Sequence, residues 1–107
     1  MSKYFIQGNY TAEGTKGLVK EGAMSRREAV AALFGSVGGF LESLHYAVGS
    51  TGYLLTVNLP DRAGLAAIAA TIVASGAVTI TECFEILTPP EMDEALKKSP
   101  SYRAPGR

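Results

Sequence analysis

The sequence is poor in the residues on which disulfides and metal sites depend. It contains one cysteine, Cys83, and one histidine, His45. A lone cysteine cannot form an internal disulfide, which is typical of proteins from a reducing compartment. One histidine and one cysteine cannot complete a tetrahedral zinc site within one chain. Neither the phosphate-loop nor the dinucleotide-binding glycine signature occurs. We therefore expect no metal and no cofactor.

Long apolar runs and an excess of charge of one sign are also missing. The longest mainly apolar stretch, residues 63–74, is too short to span a bilayer. The first residues do not predict a signal peptide, because their apolar run breaks at Gln7. Ten basic residues balance ten acidic ones. The net charge therefore favours neither nucleic acid nor an anionic membrane as a partner. Together these absences predict a cytoplasmic protein.

The composition that remains is that of one small folded domain. The chain has 107 residues, of which 47% are hydrophobic and 19% are charged. This length is typical of one domain, so we predict a single domain over residues 1–107. Residues 99–107 contain two prolines and a glycine and are expected to form an extended tail.

The order of the predicted elements indicates a fold class. Strands are expected over residues 3–10, 40–48, 53–59 and 78–87. Helices are expected after Ser25, which makes a capping-box pattern with Glu28, after Asp61 and after Thr88. The glycine-rich segment 11–22 predicts a turn and a short helix. The order β-α-β-β-α-β with a terminal helix predicts a ferredoxin-like α+β fold. Its antiparallel sheet has strand order 4-1-3-2, with both helices on one face.

Alternation along the predicted strands separates two rows of side chains, one for each face of the sheet. The apolar row, expected under the helices, holds Tyr4, Ile6, Phe40, Leu44, Tyr46, Leu55, Val57, Leu59, Val78, Ile80, Phe84 and Ile86. The mixed row, expected on the open face, holds Phe5, Gln7, Asn9, Leu41, Ser43, His45, Thr56, Asn58, Thr79, Thr81, Cys83 and Glu85. A hairpin centred between Ser50 and Thr51 pairs His45 with Thr56 and keeps both rows consistent.

Apolar members of the mixed row predict that the open faces of two copies pack together. Phe5 and Leu41 favour such a homodimer over a solvated face, although many antiparallel sheets do leave one face in water. Two acidic residues, Glu42 and Glu82, interrupt the apolar row. Each is expected to reach the sheet edge, to pair with a basic residue or to have a raised pKa, because an unpaired buried carboxylate is costly.

Several short segments, taken together, carry a family resemblance over nearly the whole chain. They are Lys3-Tyr4-Phe5-Ile6-Gln7, Gly14-Thr15-Lys16-Gly17-Leu18, Arg26-Arg27-Glu28-Ala29-Val30, Gly38-Gly39, Leu59-Pro60-Asp61, Ala74-Ser75-Gly76-Ala77-Val78, Leu87-Thr88-Pro89 and Ser101-Tyr102-Arg103. In this combination the sequence resembles the GYD-domain family. The resemblance implies a dimeric α/β barrel of the ferredoxin-like kind and no established activity. The hairpin Gly49-Ser50-Thr51-Gly52 keeps only the glycine of the family's Gly-Tyr-Asp type motif.

The leading functional hypothesis is a homodimer that binds a small molecule in a semi-polar pocket between the two open faces. The predicted pocket residues are Phe5, Gln7, Asn9, His45, Thr56, Asn58 and Cys83. A second hypothesis is a cofactor-independent enzyme of oxygenase, isomerase or dehalogenase type, with His45 as acid or base. The simpler interpretation of His45 is an exposed side chain bonded to Thr56. A third hypothesis is a structural or protein-interaction module.

Overall fold

The computed structural model describes residues 1–107 and arranges them as four strands and four helices. In chain order these are β1 (Ser2–Tyr10), α1 (Ala12–Glu21), α2 (Ala23–Gly35), β2 (Phe40–Tyr46), β3 (Gly52–Leu59), α3 (Arg62–Ala74), β4 (Val78–Ile86) and α4 (Pro89–Leu96). The sheet is antiparallel with strand order β2-β3-β1-β4, which confirms the predicted order and the ferredoxin-like arrangement. None of the four helices has the length and apolar character needed to cross a lipid bilayer.

Two of the predicted helix starts are confirmed by their capping bonds. At the start of α3, the Gly64 N–H donates to Oδ1 of Asp61 over 2.8 Å. At the start of α4, the Thr88 hydroxyl accepts from the Glu91 N–H at 3.3 Å, and the Glu91 carboxylate accepts from the Thr88 N–H at 2.9 Å. These side chains satisfy N–H groups that a helix leaves without partners at its N-terminus.

Helix α1 (Ala12–Glu21) is longer than the short helix predicted for the glycine-rich segment 11–22. The Thr11 hydroxyl accepts from the Gly14 N–H at 3.1 Å and donates to the Gly76 carbonyl at 2.7 Å, so it joins α1 to the turn between α3 and β4. A Cβ atom added at Gly14 would lie 2.0 Å from the carbonyl oxygen of Ala77. Glycine lowers helix propensity, but at this position it permits a close backbone approach that any side chain would prevent.

The predicted start of α2 is wrong. The helix begins at Ala23, and Ser25 lies inside its first turn, where its hydroxyl donates to Glu21 over 3.0 Å. Gly22 has a φ of +91° and separates α1 from α2 without a loop. Gly22 makes the turn between the two helices by itself and is the N-cap residue of α2. The helix therefore has no side-chain cap and begins earlier than the Ser25 capping pattern indicated.

The hydrophobic core lies between the helices and one face of the sheet. The central strands alternate as predicted: Tyr4 pairs with Val57 and Ile6 pairs with Leu55, and all four side chains are buried. The other buried hydrophobic residues are Phe34, Tyr53, Leu59 and Ile68. We call this side of the sheet the covered face and the opposite side the open face.

A bulge in edge strand β2 corrects the predicted faces there. The register shifts between Leu41 and Ser43, so Leu41 pairs with Val57 and packs against the core. Phe40 pairs instead with Asn58 of the open face and is 51% exposed. The hairpin register is also shifted by two residues, since His45 pairs with Leu54 rather than with Thr56. A shift of two preserves the face of each residue, so His45 remains on the open face.

A second bulge, in edge strand β4, corrects the faces of its C-terminal half. The partners of Gln7 and Gly8 are Glu82 and Ile80, which leaves Thr81 as the extra residue. From this point Cys83 pairs with Ile6, on the covered face, and Phe84 pairs with Phe5, on the open face. Two predictions are therefore wrong. Cys83 and Glu85 do not lie on the open face, and Glu82, Phe84 and Ile86 do not lie under the helices. The bulge turns the Glu82 carboxylate away from the core, where its desolvation would be costly.

Candidate functional site

The largest concave feature lies on the covered face, between the sheet and helices α1, α2 and α3. It is a cavity of about 380 Å³, which we call the large cavity. Its walls are mainly apolar and are formed by Tyr10, Glu13, Gly14, Gly17, Leu18, Glu21, Arg26, Val30, Leu33, Phe34, Leu44, Tyr53, Leu55, Thr71, Ile72, Ser75, Ala77 and Val78.

The charged groups of the large cavity come from α1 and α2. The Arg26 guanidinium lies 3.6 Å from the Glu21 carboxylate, and about one third of each side chain is exposed. Glu13, also in the wall, lies 3.5 Å from the ammonium group of Lys16. The only basic side chain of the cavity wall is therefore already paired with a carboxylate.

A smaller cavity of about 230 Å³ lies beside the large one, at the β2–β3 hairpin. Tyr10 and Leu18 belong to the walls of both cavities. The remaining walls of this small cavity are formed by Thr15, Ala23, Tyr46, Ser50, Thr51 and Gly52. The hairpin that keeps only the glycine of the Gly-Tyr-Asp type motif therefore contributes directly to the small cavity.

Three tyrosines form the polar part of this region. The ring of Tyr10 lies 5.7 Å from that of Tyr53 in an edge-on arrangement and 6.2 Å from that of Tyr46 in a stacked one. The Tyr53 hydroxyl donates to the Thr79 carbonyl over 2.9 Å. Gly8 makes room for it, because an added Cβ would lie 2.6 Å from that hydroxyl.

Burial changes the acid strength of two of these tyrosines, Tyr53 and Tyr10. It raises the pKa of Tyr53 to about 12, with a further contribution from nearby Cys83. Burial also raises the pKa of Tyr10, and the neighbouring Tyr46 raises it further. Tyrosines are protonated near neutral pH in any case, so the raised pKa values keep these two phenols uncharged further into the alkaline range.

The residues predicted from the sequence as a ligand site line neither cavity. Phe5, on the open face, packs against Phe84 with a centroid separation of 5.5 Å. His45 is exposed on edge strand β2. Cys83 pairs on the covered side of β4 but remains exposed at this sheet edge, and partial desolvation raises its pKa, so its thiol is less easily ionised than an ordinary one. The remaining predicted residues are Gln7, Asn9, Thr56 and Asn58, all on the open face.

One small polar network does form on the open face. The Asn58 amide donates to the Glu42 carboxylate over 3.3 Å, and the Lys3 ammonium lies 3.1 Å from the same carboxylate. The Lys3 and Asn58 hydrogen bonds hold the pKa of Glu42 below its usual range. The expected pairing of Glu42 with a basic residue is thus confirmed. Elsewhere, no three His, Cys, Asp or Glu side chains lie close enough together to hold a metal ion.

Sequence reasoning missed the large cavity because its walls come from seven separate elements, all but α4. One signal was available in α1, where Gly14 and Gly17 are three residues apart and lie on one face of the helix. A Cβ at Gly14 would collide with Ala77, whereas one at Gly17 would meet no atom within 4 Å. Gly17 thus leaves space in the cavity wall, which periodicity alone does not show.

Fold and comparison agree on the class of the protein. The arrangement of strands and helices defines an α+β domain of ferredoxin-like topology. The family model of the GYD domain matches residues 4–96, which is most of the chain. The protein belongs to the GYD domain family. Neither a search of curated proteins nor a search of solved structures found a match.

Proposed function

We propose that this protein is a small-molecule-binding domain whose ligand occupies the large cavity on the covered face. The observation that carries the proposal is the cavity itself. Its volume of about 380 Å³ lies within the range of about 300–1,000 Å³ that is typical of ligand pockets. Like those pockets, it combines apolar walls with a few polar groups that can orient a ligand.

The composition of the walls supports an apolar body for the ligand. Val30, Leu33, Leu44 and Ile72 provide aliphatic surface, and the ring of Tyr10 lies where the two cavities meet. A cavity of this size with unfilled apolar walls reduces packing within the domain, which costs stability unless a ligand fills it.

We further propose that the protein is a homodimer formed through the open face. The support is the apolar surface that the single chain leaves there: Phe40 and Phe84 are 51% and 47% exposed, and Phe5 packs beside Phe84. Apolar surface of this kind, surrounded by polar groups, is characteristic of interaction sites. The ligand pocket predicted between the two sheets would require this dimer, and Cys83 is not on the face that would line it.

The enzyme hypothesis has less support from the geometry. His45 lines neither cavity and is exposed, so it has no cavity-bound substrate on which to act as acid or base. Its catalytic role stays a prediction that depends on a second copy covering the open face.

A substitution at Gly17 tests the proposed binding site. Because a Cβ at this position meets no atom within 4 Å, Gly17→Leu adds volume to the cavity wall without a backbone collision. Titration with 2-methylnaphthalene, followed by protein NMR, should give saturable shifts at cavity residues of the unmodified protein. We expect Gly17→Leu to weaken this binding by about tenfold or more, because the added side chain occupies ligand space.

The matched control is Gly35→Leu, in α2. Its Cβ also meets no atom within 4 Å, but Gly35 lines neither cavity. Binding by this variant should equal that of the unmodified protein. Equal binding by all three proteins would contradict the assignment of the cavity, and no binding by any of them would contradict the proposed function for this ligand class.

Native mass spectrometry of protein purified from its own host tests the assembly and the ligand together. The expected result is a dimer with an additional mass that denaturation releases. A dimer without additional mass would support the proposed interface, and the titration would then be the test of ligand binding. A monomer at micromolar concentration would contradict the proposed dimer.

A further inference from the structure

Two hydroxyl groups of the covered face are buried without a hydrogen-bond partner. They are Oγ1 of Thr15 and the phenol oxygen of Tyr46, which lies close to the Tyr10 phenol but makes no well-formed hydrogen bond with it. The structure shows no other buried side-chain nitrogen or oxygen in this state. Buried polar groups are nearly always paired, because an unpaired one loses its bonds to water and gains none in return. Both residues lie in the wall of the small cavity, so the two unpaired groups belong to the same cavity wall.

The wall of the small cavity is mainly apolar and carries no charge, so its few hydroxyl groups are the only side-chain groups there that could bind a polar atom. None of its wall residues is acidic, basic or histidine. The Ser50 hydroxyl already accepts from the Gly52 N–H at 3.1 Å, which leaves Thr15 and Tyr46 as the unsatisfied groups. An ionised ligand group placed here would have no counter-charge in the wall and would be costly to desolvate.

The large cavity does not favour an anion either. Its one basic side chain, Arg26, is paired with Glu21 at 3.6 Å, and Glu13 adds a further carboxylate to the wall. The phenol of Tyr10, which belongs to both cavities, is uncharged at neutral pH, as an ordinary tyrosine is. The charges of both walls are therefore compatible with a neutral ligand.

We propose that the ligand is a neutral molecule with an apolar body in the large cavity and one hydroxyl or carbonyl group in the small cavity, bonded by Thr15 and Tyr46. This inference rests on the proposed function of the large cavity and adds the chemical class of the ligand. A threonine or tyrosine hydroxyl can both donate and accept, so the pair suits either a hydroxyl or a carbonyl oxygen.

Three probes of similar shape test this assignment. They are 2-naphthol, 2-methylnaphthalene, in which a methyl group replaces the hydroxyl, and 2-naphthoate, in which a carboxylate replaces it. Titration calorimetry at pH 7 should give about five- to tenfold tighter binding of 2-naphthol than of 2-methylnaphthalene, the size expected for one neutral hydrogen bond. Binding of 2-naphthoate should be the weakest of the three.

Variants that remove only the hydroxyls locate the effect. In the double variant Thr15→Val/Tyr46→Phe, the preference for 2-naphthol should fall to about onefold while 2-methylnaphthalene binds as before. Tyr4→Phe is the control, because Tyr4 is buried but lines neither cavity. It should retain the full preference.

Thermal unfolding without ligand provides a second readout. If the hydroxyls lack partners in the free protein, their removal should leave the Tm unchanged or raise it, because no hydrogen bond is lost. A clear fall in the Tm of the double variant would show that the hydroxyls are bonded within the free protein, by water or by a neighbour, and would overturn the inference.

The binding results separate this inference from the function on which it rests. Equal binding of 2-naphthol and 2-methylnaphthalene, or a preference that persists in the double variant, would overturn the polar subsite and leave the large cavity as a binding site. Failure of all three probes to bind would overturn both.

Discussion

The two faces of the sheet are built from the same strands but differ in their packing. On the covered face, Ile6, Val57 and Leu59 are at most 1% exposed and pack under the helices. On the open face, Phe40 and Phe84 are as apolar as those three residues, yet about half of each side chain is exposed. The covered face therefore accounts for most of the hydrophobic stabilisation of the single chain, and the open face keeps apolar area that only association could bury.

The strands differ in a related way. The central strands β1 and β3 pair with each other without interruption, whereas the edge strands β2 and β4 each join the sheet through a bulge. A central strand is fixed on both sides by neighbours, and an edge strand is fixed on one, so bulges accumulate at edges. Each bulge exchanges the faces of the residues beyond it, so the edges determine how much apolar surface the open face carries.

The largest expected difference between the faces concerns adjacent residues of β1. Ile6→Ala on the covered face should reduce the free energy of unfolding by about 2–5 kcal/mol, because Ile6 is 1% exposed and its loss leaves a cavity. Gln7→Ala, one residue away on the open face, should change it by no more than about 0.5 kcal/mol. Urea denaturation of both variants measures the contrast. Similar losses for the two would contradict the assignment of the core to one face.

An intermediate effect is expected on assembly. Phe84→Lys introduces a charge at the proposed interface and should weaken the dimer by tenfold or more, about 1.4 kcal/mol, as measured by analytical ultracentrifugation. Val73→Lys is the matched control, because Val73 is 48% exposed, close to the 47% of Phe84, but lies on α3. If Val73→Lys weakened the dimer as much as Phe84→Lys, the interface would not be the open face.

The smallest effect concerns Tyr53 and its pH dependence. The folded protein holds the Tyr53 proton up to about pH 12, whereas an unfolded tyrosine loses it near pH 10. The stabilising contribution is thus present below about pH 10 and is lost as the pH rises towards 12. Tyr53→Phe removes the bond to the Thr79 carbonyl and should cost about 1 kcal/mol at pH 7.

The same variant should also reduce the loss of stability between about pH 10 and 12, because the titrating phenol is gone. Tm measurements across this range compare the two proteins. Parallel curves would show that Tyr53 does not titrate with a raised pKa.

Much of the fold was predictable from local sequence signals. Element order, caps at Asp61 and Thr88, and the alternation of β1 and β3 are properties of short segments and of the chain order. The family resemblance, confirmed over residues 4–96, covers the same elements. The candidate site was not predictable in this way, since Tyr10, Arg26 and Ile72 come together in one cavity from separate elements.

The sequence by itself determined which segments become strands or helices, because side-chain periodicity and caps act within a few residues. Only the tertiary structure decided where Cys83 and Phe84 point, since one extra residue at Thr81 reverses every side chain beyond it. Tertiary packing also decided that Gly14 contacts Ala77 while Gly17 leaves space nearby. Faces and cavities depend on the pairing and approach of distant segments, and no local pattern encodes those distances.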